Sequence, residues 1–107
     1  MISLEELCKN LKKEKSVAII SHIRPDGDTI GSSLGLLFAL RKLNIKAKVY
    51  CGDNIPAKFS YLSGYDEFSS QELEKDITAI VSVDCADTGR LGVYEQAFIG
   101  FINTYNI

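Results

Sequence analysis

The fold of this chain is indicated by one stretch, residues 17–33, which reads VAIISHIRPDGDTIGSS. It opens with the continuous apolar run Val17–Ile20, which is typical of a strand that is buried on both faces of a parallel sheet. A polar loop follows, and after the loop comes a glycine-spaced segment with helical periodicity. A strand, a loop and a helix in this order predict the first part of a βαβ unit.

Helices are predicted on both sides of that strand. Before it, Ser3 and Glu6 have the spacing of a capping box, and apolar residues recur at helical intervals up to the lysine-rich stretch 12–15. After it, a helix is predicted from about Ile30 to Leu43. This second helix carries an apolar face of Leu34, Leu37, Phe38 and Leu40–Leu43, and a stripe of Gly31, Gly35 and Ala39. The stripe of small residues predicts a close approach of the helix to the sheet.

Further strands alternate with turns and helices along the rest of the chain. A short helix, Ala57–Leu62, is predicted to begin at Pro56 and to close at Gly64. The strands are predicted at Lys46–Tyr50, Thr78–Val83 and Phe98–Ile102. This alternation predicts an α/β fold in one domain, with a Rossmann-like, mostly parallel sheet flanked by helices.

Composition narrows the class of protein and of ligand. The 107 residues are 46% hydrophobic and 24% charged, which is ordinary for a soluble globular protein. The net charge of −2 provides no basic surplus for tight binding of long nucleic acid. A small phosphate ester or the end of a short strand remains a suitable ligand, because a bound metal ion would supply the positive charge.

Cysteine usage and hydropathy predict a cytoplasmic setting. The three cysteines are far apart and form no CxxC pair, which argues against a disulfide framework and against a cysteine zinc site. The acidic, amphipathic start of the chain is unlike a signal peptide. No apolar run approaches the roughly 18 residues of a membrane span, so no membrane partner is expected.

Candidate metal ligands follow two of the predicted strands. His22, the only histidine of the chain, and then Asp26 and Asp28 come after the strand at 17–20, and Asp84 follows the strand Thr78–Val83. In parallel sheets, ligands bind outside the carboxyl ends of the strands. An imidazole together with carboxylates favours a borderline or hard divalent cation. The sequence therefore predicts metal-dependent phosphate chemistry at this edge.

Alternative interpretations fit parts of the same loop. Asp28 or Thr29 could cap the following helix, and the loop would then be a solvated turn. A calcium loop that opens at Asp26 is excluded, because its twelfth position is Leu37 rather than glutamate. The stretch Asp26–Thr29 also resembles the signature of haloacid-dehalogenase phosphatases, whose first aspartate is a nucleophile. That signature, however, directly follows a strand.

Further polar residues have both a structural and a functional interpretation. Asp87 is placed either to cap a helix that begins at the next residue or to contact the metal ligands. Arg90 has the chemistry to meet a substrate phosphate or only a surface carboxylate. Ser32 and Ser33 are placed to donate to a phosphate near the start of the second helix.

Two motifs resemble those of a known family. The stretch His22–Ser32, HIRPDGDTIGS, resembles the first motif of the DHH phosphoesterase superfamily, which is named for an Asp-His-His motif. The stretch Val83–Asp87, VDCAD, is similar to the second motif, and Arg90-Leu91-Gly92 follows it as in many members. Within the superfamily, the chain is most similar to the bacterial nanoRNase branch. Those enzymes degrade very short RNA oligomers and remove phosphate from phosphoadenosine phosphate.

The resemblance implies a site with two manganese ions, with Mg²⁺ as the alternative cation. His22 and Asp26 would bind one ion, Asp28 the second, and Asp84 both. It implies hydrolysis of phosphoesters in short oligoribonucleotides or small nucleotides by a metal-bridging hydroxide. Asp87, Arg90 and Ser32 would then contact the substrate or the metal ligands.

The resemblance also implies an incomplete domain. Residues 1–107 would be the truncated N-terminal part of a DHH domain, without the Asp-His-His motif and without the C-terminal substrate-binding domain. This chain alone would then be inactive, and the full-length form is a candidate homodimer. The alternative in a different class is a non-catalytic α/β module that binds a nucleotide or a partner.

Overall fold

Five strands form one sheet in the computed structural model, which describes residues 4–83, 88–100 and 104–106. Short 3-10 segments lie at Ala57–Phe59, Tyr65–Glu67 and Thr88–Tyr94. The helices and strands, in chain order, are α1 (Leu4–Leu11), β1 (Ser16–Ser21), α2 (Gly27–Lys42), β2 (Lys46–Cys51), β3 (Phe68–Ser69), β4 (Ala79–Val83), α3 (Glu95–Gly100) and β5 (Thr104–Asn106).

The strand order reverses beside β1. Across the sheet the order is β3-β2-β1-β4-β5, and every neighbouring pair is parallel. The chain passes from β1 to β2 on one side and later enters β4 on the other side. The last residue of β1, Ser21, pairs with Cys51 of β2 and with Val83 of β4. The predicted α/β class and mostly parallel sheet are therefore confirmed, and the carboxyl ends of three strands meet at one edge.

Both faces of the sheet are covered. Along β1 the side chains alternate, as the pleat requires, so Val17 and Ile19 belong to one apolar cluster and Ala18 and Ile20 to another. The first cluster lies beneath α2, and the second includes Tyr94. Burial raises the pKa of Tyr94 to about 12, and its hydroxyl donates to the carbonyl of Gln71 over 2.7 Å. The continuous apolar run at 17–20 thus reflects burial on two sides.

Helix α2 packs on the sheet through a different face from the one that its small residues predict. Ile30, Leu34 and Leu37 are buried, whereas Gly31 and Gly35 are exposed, and a methyl group added at either glycine would meet nothing within 4 Å. Each residue of an α-helix is rotated by about 100° from the one before it, so Gly31 and Gly35, one step beyond Ile30 and Leu34, face away from the sheet. Ala39, Phe38 and Leu43 are exposed too. The prediction that the glycine stripe allows close packing on the sheet is wrong.

The segment between β2 and β4 differs from its prediction. In place of a helix over Ala57–Leu62 there is a 3-10 turn at Ala57–Phe59, with Pro56 at its N-cap. Gly64 has a φ of 93° and begins a second 3-10 turn rather than closing a helix. Strand β3 was not predicted, because two residues are too few to show an alternating pattern.

The strand predicted at Phe98–Ile102 is also corrected. Phe98 lies in α3 and packs on the second cluster, and the strand that ends the described chain is β5. A short apolar run is compatible with a buried helix segment as well as with a strand, so its pattern alone does not separate the two. Residues 101 and 102 lie outside the described residues, as does Ser3 of the predicted capping box. None of the helices in the described ranges is long and apolar enough to cross a membrane.

Candidate metal centre

The loop at residues 22–26 joins the carboxyl end of β1 to α2, and Asp26 is the N-cap of that helix. The Asp26 Oδ1 atom accepts a hydrogen bond from the backbone N–H of Thr29 over 2.9 Å. The helix therefore starts at Gly27 rather than near Ile30, and its cap is Asp26 rather than Asp28 or Thr29. Capping fixes one carboxylate oxygen of Asp26, and the other oxygen keeps its own acceptor capacity.

His22 is buried directly beyond the last residue of β1. Its side chain is 3% exposed, and Nδ1 donates to the carbonyl oxygen of Ile23 over 2.7 Å. Since a carbonyl can only accept, Nδ1 carries a proton, and in the neutral ring the lone pair then lies on Nε2, the arrangement found in metal-binding histidines. The Cys51 thiol donates to the His22 carbonyl over 3.5 Å, and burial raises the pKa of this thiol, so it stays protonated as a donor.

Two side-chain contacts tie the start of α2 to the sheet. The Thr29 hydroxyl donates to the carbonyl of Val83, the last residue of β4, over 3.4 Å. The Ser21 and Ser33 hydroxyl oxygens lie 2.6 Å apart in the core. These contacts fix the first turn of α2 against the carboxyl ends of β1 and β4. Val83 immediately precedes Asp84, which lies outside the described residues.

The other side of the loop is held by residues that follow β2 and by the 3-10 segment. Arg24 has a positive φ of 54°, and its backbone N–H donates to Asp53 Oδ2 over 2.7 Å. A methyl group added at Gly92, whose φ is 62°, would lie 2.6 Å from the Ile23 side chain. The Ile23 side chain therefore packs closely against the backbone at Gly92.

The predicted site residues are only partly assembled within the described residues. Asp26 and Asp28 are exposed, and His22 is buried. Within residues 4–83, 88–100 and 104–106, no three His, Cys, Asp or Glu side chains form a group that could hold a metal ion. An imidazole with its lone pair on Nε2 and two carboxylates nonetheless fit a divalent cation in kind. The ligand roles predicted for these three residues and for Asp84 remain predictions.

The remaining candidates divide between the described and undescribed parts of the chain. Asp87 lies outside the described residues, and Arg90 belongs to the 3-10 segment Thr88–Tyr94. Ser32 is exposed on α2. Ser33 is buried against Ser21, so its hydroxyl serves the core rather than a phosphate.

Sequence reasoning did not identify Asp53 as part of this edge. It follows β2, which neighbours β1 in the sheet, so its position just past a strand end was the available signal. The hydrogen bond to Arg24 joins residues that are 29 positions apart, and no local pattern indicates it.

The chain matches a family and two relatives. The DHH family, N-terminal domain, matches residues 16–102. A protein of Thermus thermophilus named a bifunctional oligoribonuclease and PAP phosphatase NrnA is 36% identical over 89 residues, which are 80% of this chain and 26% of that protein. A protein of the same name from Mycoplasma genitalium is 39% identical over 62 residues, which are 57% of this chain and 19% of that protein.

A solved structure has the same fold. The crystal structure of an exopolyphosphatase-related protein from Bacteroides fragilis superposes with a TM-score of 0.80 over 94% of this chain and 32% of that one, at 21% sequence identity. The chain spans about a quarter of the length of the curated Thermus relative, 26%. The family match covers most of the chain and includes the loop at residues 22–26. The chain therefore belongs to the DHH family, as its first motif predicted.

Proposed function

We propose that this chain carries part of the active site of a metal-dependent phosphoesterase. The substrates would be short oligoribonucleotides or small nucleotides such as phosphoadenosine phosphate. The observation that carries the proposal is the position of His22, Asp26 and Asp28 at the carboxyl end of β1, beside the end of β4 that precedes Asp84. Family membership and the names of the two NrnA relatives support it.

The cofactor in this proposal is a pair of Mn²⁺ ions, with Mg²⁺ as the alternative. His22 and Asp26 would hold one ion, Asp28 the other, and Asp84 both. When bound, such ions polarise the phosphoryl group and make water nucleophilic at neutral pH. The net charge of −2 suits this arrangement, since cations rather than basic side chains would then neutralise the substrate.

Three features of the chain would favour the binding of metal and substrate at this site. The bond from His22 Nδ1 to the Ile23 carbonyl orients the imidazole and directs its lone pair to Nε2. The Thr29 N–H restrains the Asp26 carboxylate at the start of α2. The positive end of the α2 dipole lies at the same place and favours an anionic substrate group there.

The family match removes support for the haloacid-dehalogenase alternative, and the geometry agrees. Strand β1 ends at Ser21, so Asp26 does not directly follow a strand, and it caps a helix. The non-catalytic binding module remains the competing hypothesis. Dimerisation of the full-length protein stays a prediction.

Hydrolysis by the natural full-length protein that contains residues 1–107 tests the proposal. We expect it to cleave a diribonucleotide and phosphoadenosine phosphate with Mn²⁺ present, and to lose activity when EDTA removes the metal. Asp84→Ala should lower kcat by more than about 100-fold, since loss of even an outer partner of a metal ligand costs 10- to 100-fold. Asp66→Ala is the matched control, because Asp66 is an exposed aspartate of the 3-10 turn before β3 and is not a proposed ligand.

The outcomes separate the two hypotheses. Activity that survives Asp84→Ala would contradict the role of Asp84 as a shared ligand. Tight binding of nucleotide without any hydrolysis, with or without metal, would favour the non-catalytic module.

A further inference from the structure

Asp53 provides the loop at residues 22–26 with a contact from the neighbouring strand. It follows β2, whose last residue, Cys51, pairs with Ser21 at the end of β1. The Asp53 Oδ2 atom accepts the backbone N–H of Arg24 over 2.7 Å. A carboxylate that accepts a backbone N–H makes a charge-assisted bond, which is shorter and stronger than a neutral one.

The backbone of Arg24 needs such a partner. Its φ of 54° lies in the left-handed region, which residues with a Cβ atom rarely adopt. Conformations of this kind persist where the surroundings hold them, and they cluster at functional sites. Arg24 lies midway between His22 and Asp26 in the chain, so its φ and ψ angles set how these two side chains are directed relative to one another.

The residue before Arg24 is constrained by packing. The Ile23 side chain lies against Gly52 and Gly92, at positions where an added methyl group would be 3.5 Å and 2.6 Å from its Cγ2 atom. The loop is therefore fixed by packing at Ile23, by the helix cap at Asp26 and by the carboxylate of Asp53 between them. Of these three, only the Asp53 contact acts directly on the strained residue.

We propose that Asp53 is a positioning residue for the metal site, which holds Arg24 in its left-handed conformation so that His22 and Asp26 face a shared cation. The inference rests on the proposed function. It assigns Asp53 no contact with metal or substrate.

The affinity for Mn²⁺ of the natural full-length protein that contains residues 1–107, measured by titration calorimetry, tests this role apart from activity. Asp53→Ala should weaken binding by about 10- to 100-fold, the usual range for a residue that orients a metal ligand. Asp53→Asn keeps an acceptor oxygen while losing the charge, so it should lose less affinity than Asp53→Ala. Asp66→Ala removes the same charge from the 3-10 turn before β3, away from the loop at residues 22–26 in the chain, and should leave the affinity unchanged.

The same substitution in an Arg24→Gly variant shows whether Asp53 affects Mn²⁺ binding through the conformation of the Arg24 backbone. Glycine adopts positive φ readily, so in an Arg24→Gly chain the loop no longer needs Asp53 to hold its conformation. In that background, the change in log Kd for Mn²⁺ caused by Asp53→Ala should be no more than about a third of the change that it causes in the protein with Arg24. Amide hydrogen exchange gives an independent readout: exchange at Arg24 should quicken in Asp53→Ala and not in Asp66→Ala.

Each result decides the question. If Asp53→Asn loses as much affinity as Asp53→Ala, the charge matters rather than the hydrogen bond, and the inference is wrong. If wild type binds Mn²⁺ and Asp53→Ala binds it equally well, the inference fails while the proposed function stands. If the wild-type full-length protein binds no Mn²⁺, the proposed function fails and the inference fails with it.

Discussion

Replacing His22 with alanine is expected to abolish the thermal stabilisation that Mn²⁺ gives to the wild-type chain. The imidazole is 3% exposed. Its Nδ1 donates a hydrogen bond to the Ile23 carbonyl, so Nε2 is the ring atom that would bind the metal. A ligand present at 100 times its Kd stabilises the folded state by about 2.7 kcal/mol. For a domain of this size that raises Tm by roughly 10 °C or more. The measurement is the difference in Tm between samples with Mn²⁺ and with EDTA.

The difference, rather than Tm itself, is the readout, because loss of a buried side chain also leaves a cavity. Leu37→Ala is the control, since it creates a cavity in the core beneath α2 and keeps every proposed ligand. It should lower Tm and retain the full Mn²⁺ shift. A full shift in His22→Ala would mean that the ion binds without the imidazole, against the proposed ligand set.

The same Leu37→Ala variant is expected to lower the free energy of unfolding by about 2–5 kcal/mol. Leu37 is fully buried on the face of α2 that covers β1 and its neighbours. Whole domains are stable by only about 5–15 kcal/mol, so this one side chain accounts for a large share of the total. Urea unfolding followed by circular dichroism measures the change.

Leu43→Ala is the matched comparison, because it removes the same atoms from the end of the same helix. Leu43 is 52% exposed, so its loss should cost less than about 1 kcal/mol. Equal costs for the two variants would show that α2 does not pack on the sheet through Leu37, and the assignment of its buried face would be wrong.

The central strands could be predicted from sequence because burial on two sides leaves a strong signal. Strand β1 is apolar at every position from Val17 to Ile20, and three of these four residues, all but Ala18, have a buried neighbour on both adjacent strands. The edges of the sheet were predicted less well. Strand β3 is only two residues long, and the apolar run that begins at Phe98 lies partly in a helix. At an edge, packing against the rest of the protein decides between helix and strand, and local sequence does not contain that information.

The candidate site, too, could be predicted only in part. The loop and its position at a strand end followed from the order of elements, since parallel strands bring their carboxyl ends together. The cap at Asp26 was assigned to later residues because helix ends are poorly defined by periodicity alone. Asp53 was missed because its bond to Arg24 spans 29 positions. Contacts between loops at one sheet edge depend on tertiary structure, so a motif search along the chain does not find them.

The most direct test of the central claim is where Mn²⁺ binds on the chain. Bound Mn²⁺ broadens nearby amide signals in a nitrogen-15 spectrum, and the effect falls steeply with distance. We predict that the amides of residues 22–24 and 26–28 and of Ser82 and Val83 broaden first, while those of Ser16 and Lys46, at the amino ends of β1 and β2, stay sharpest. Broadening centred instead on the acidic segment 72–76, which precedes β4, would contradict a metal site at the carboxyl ends of β1 and β4.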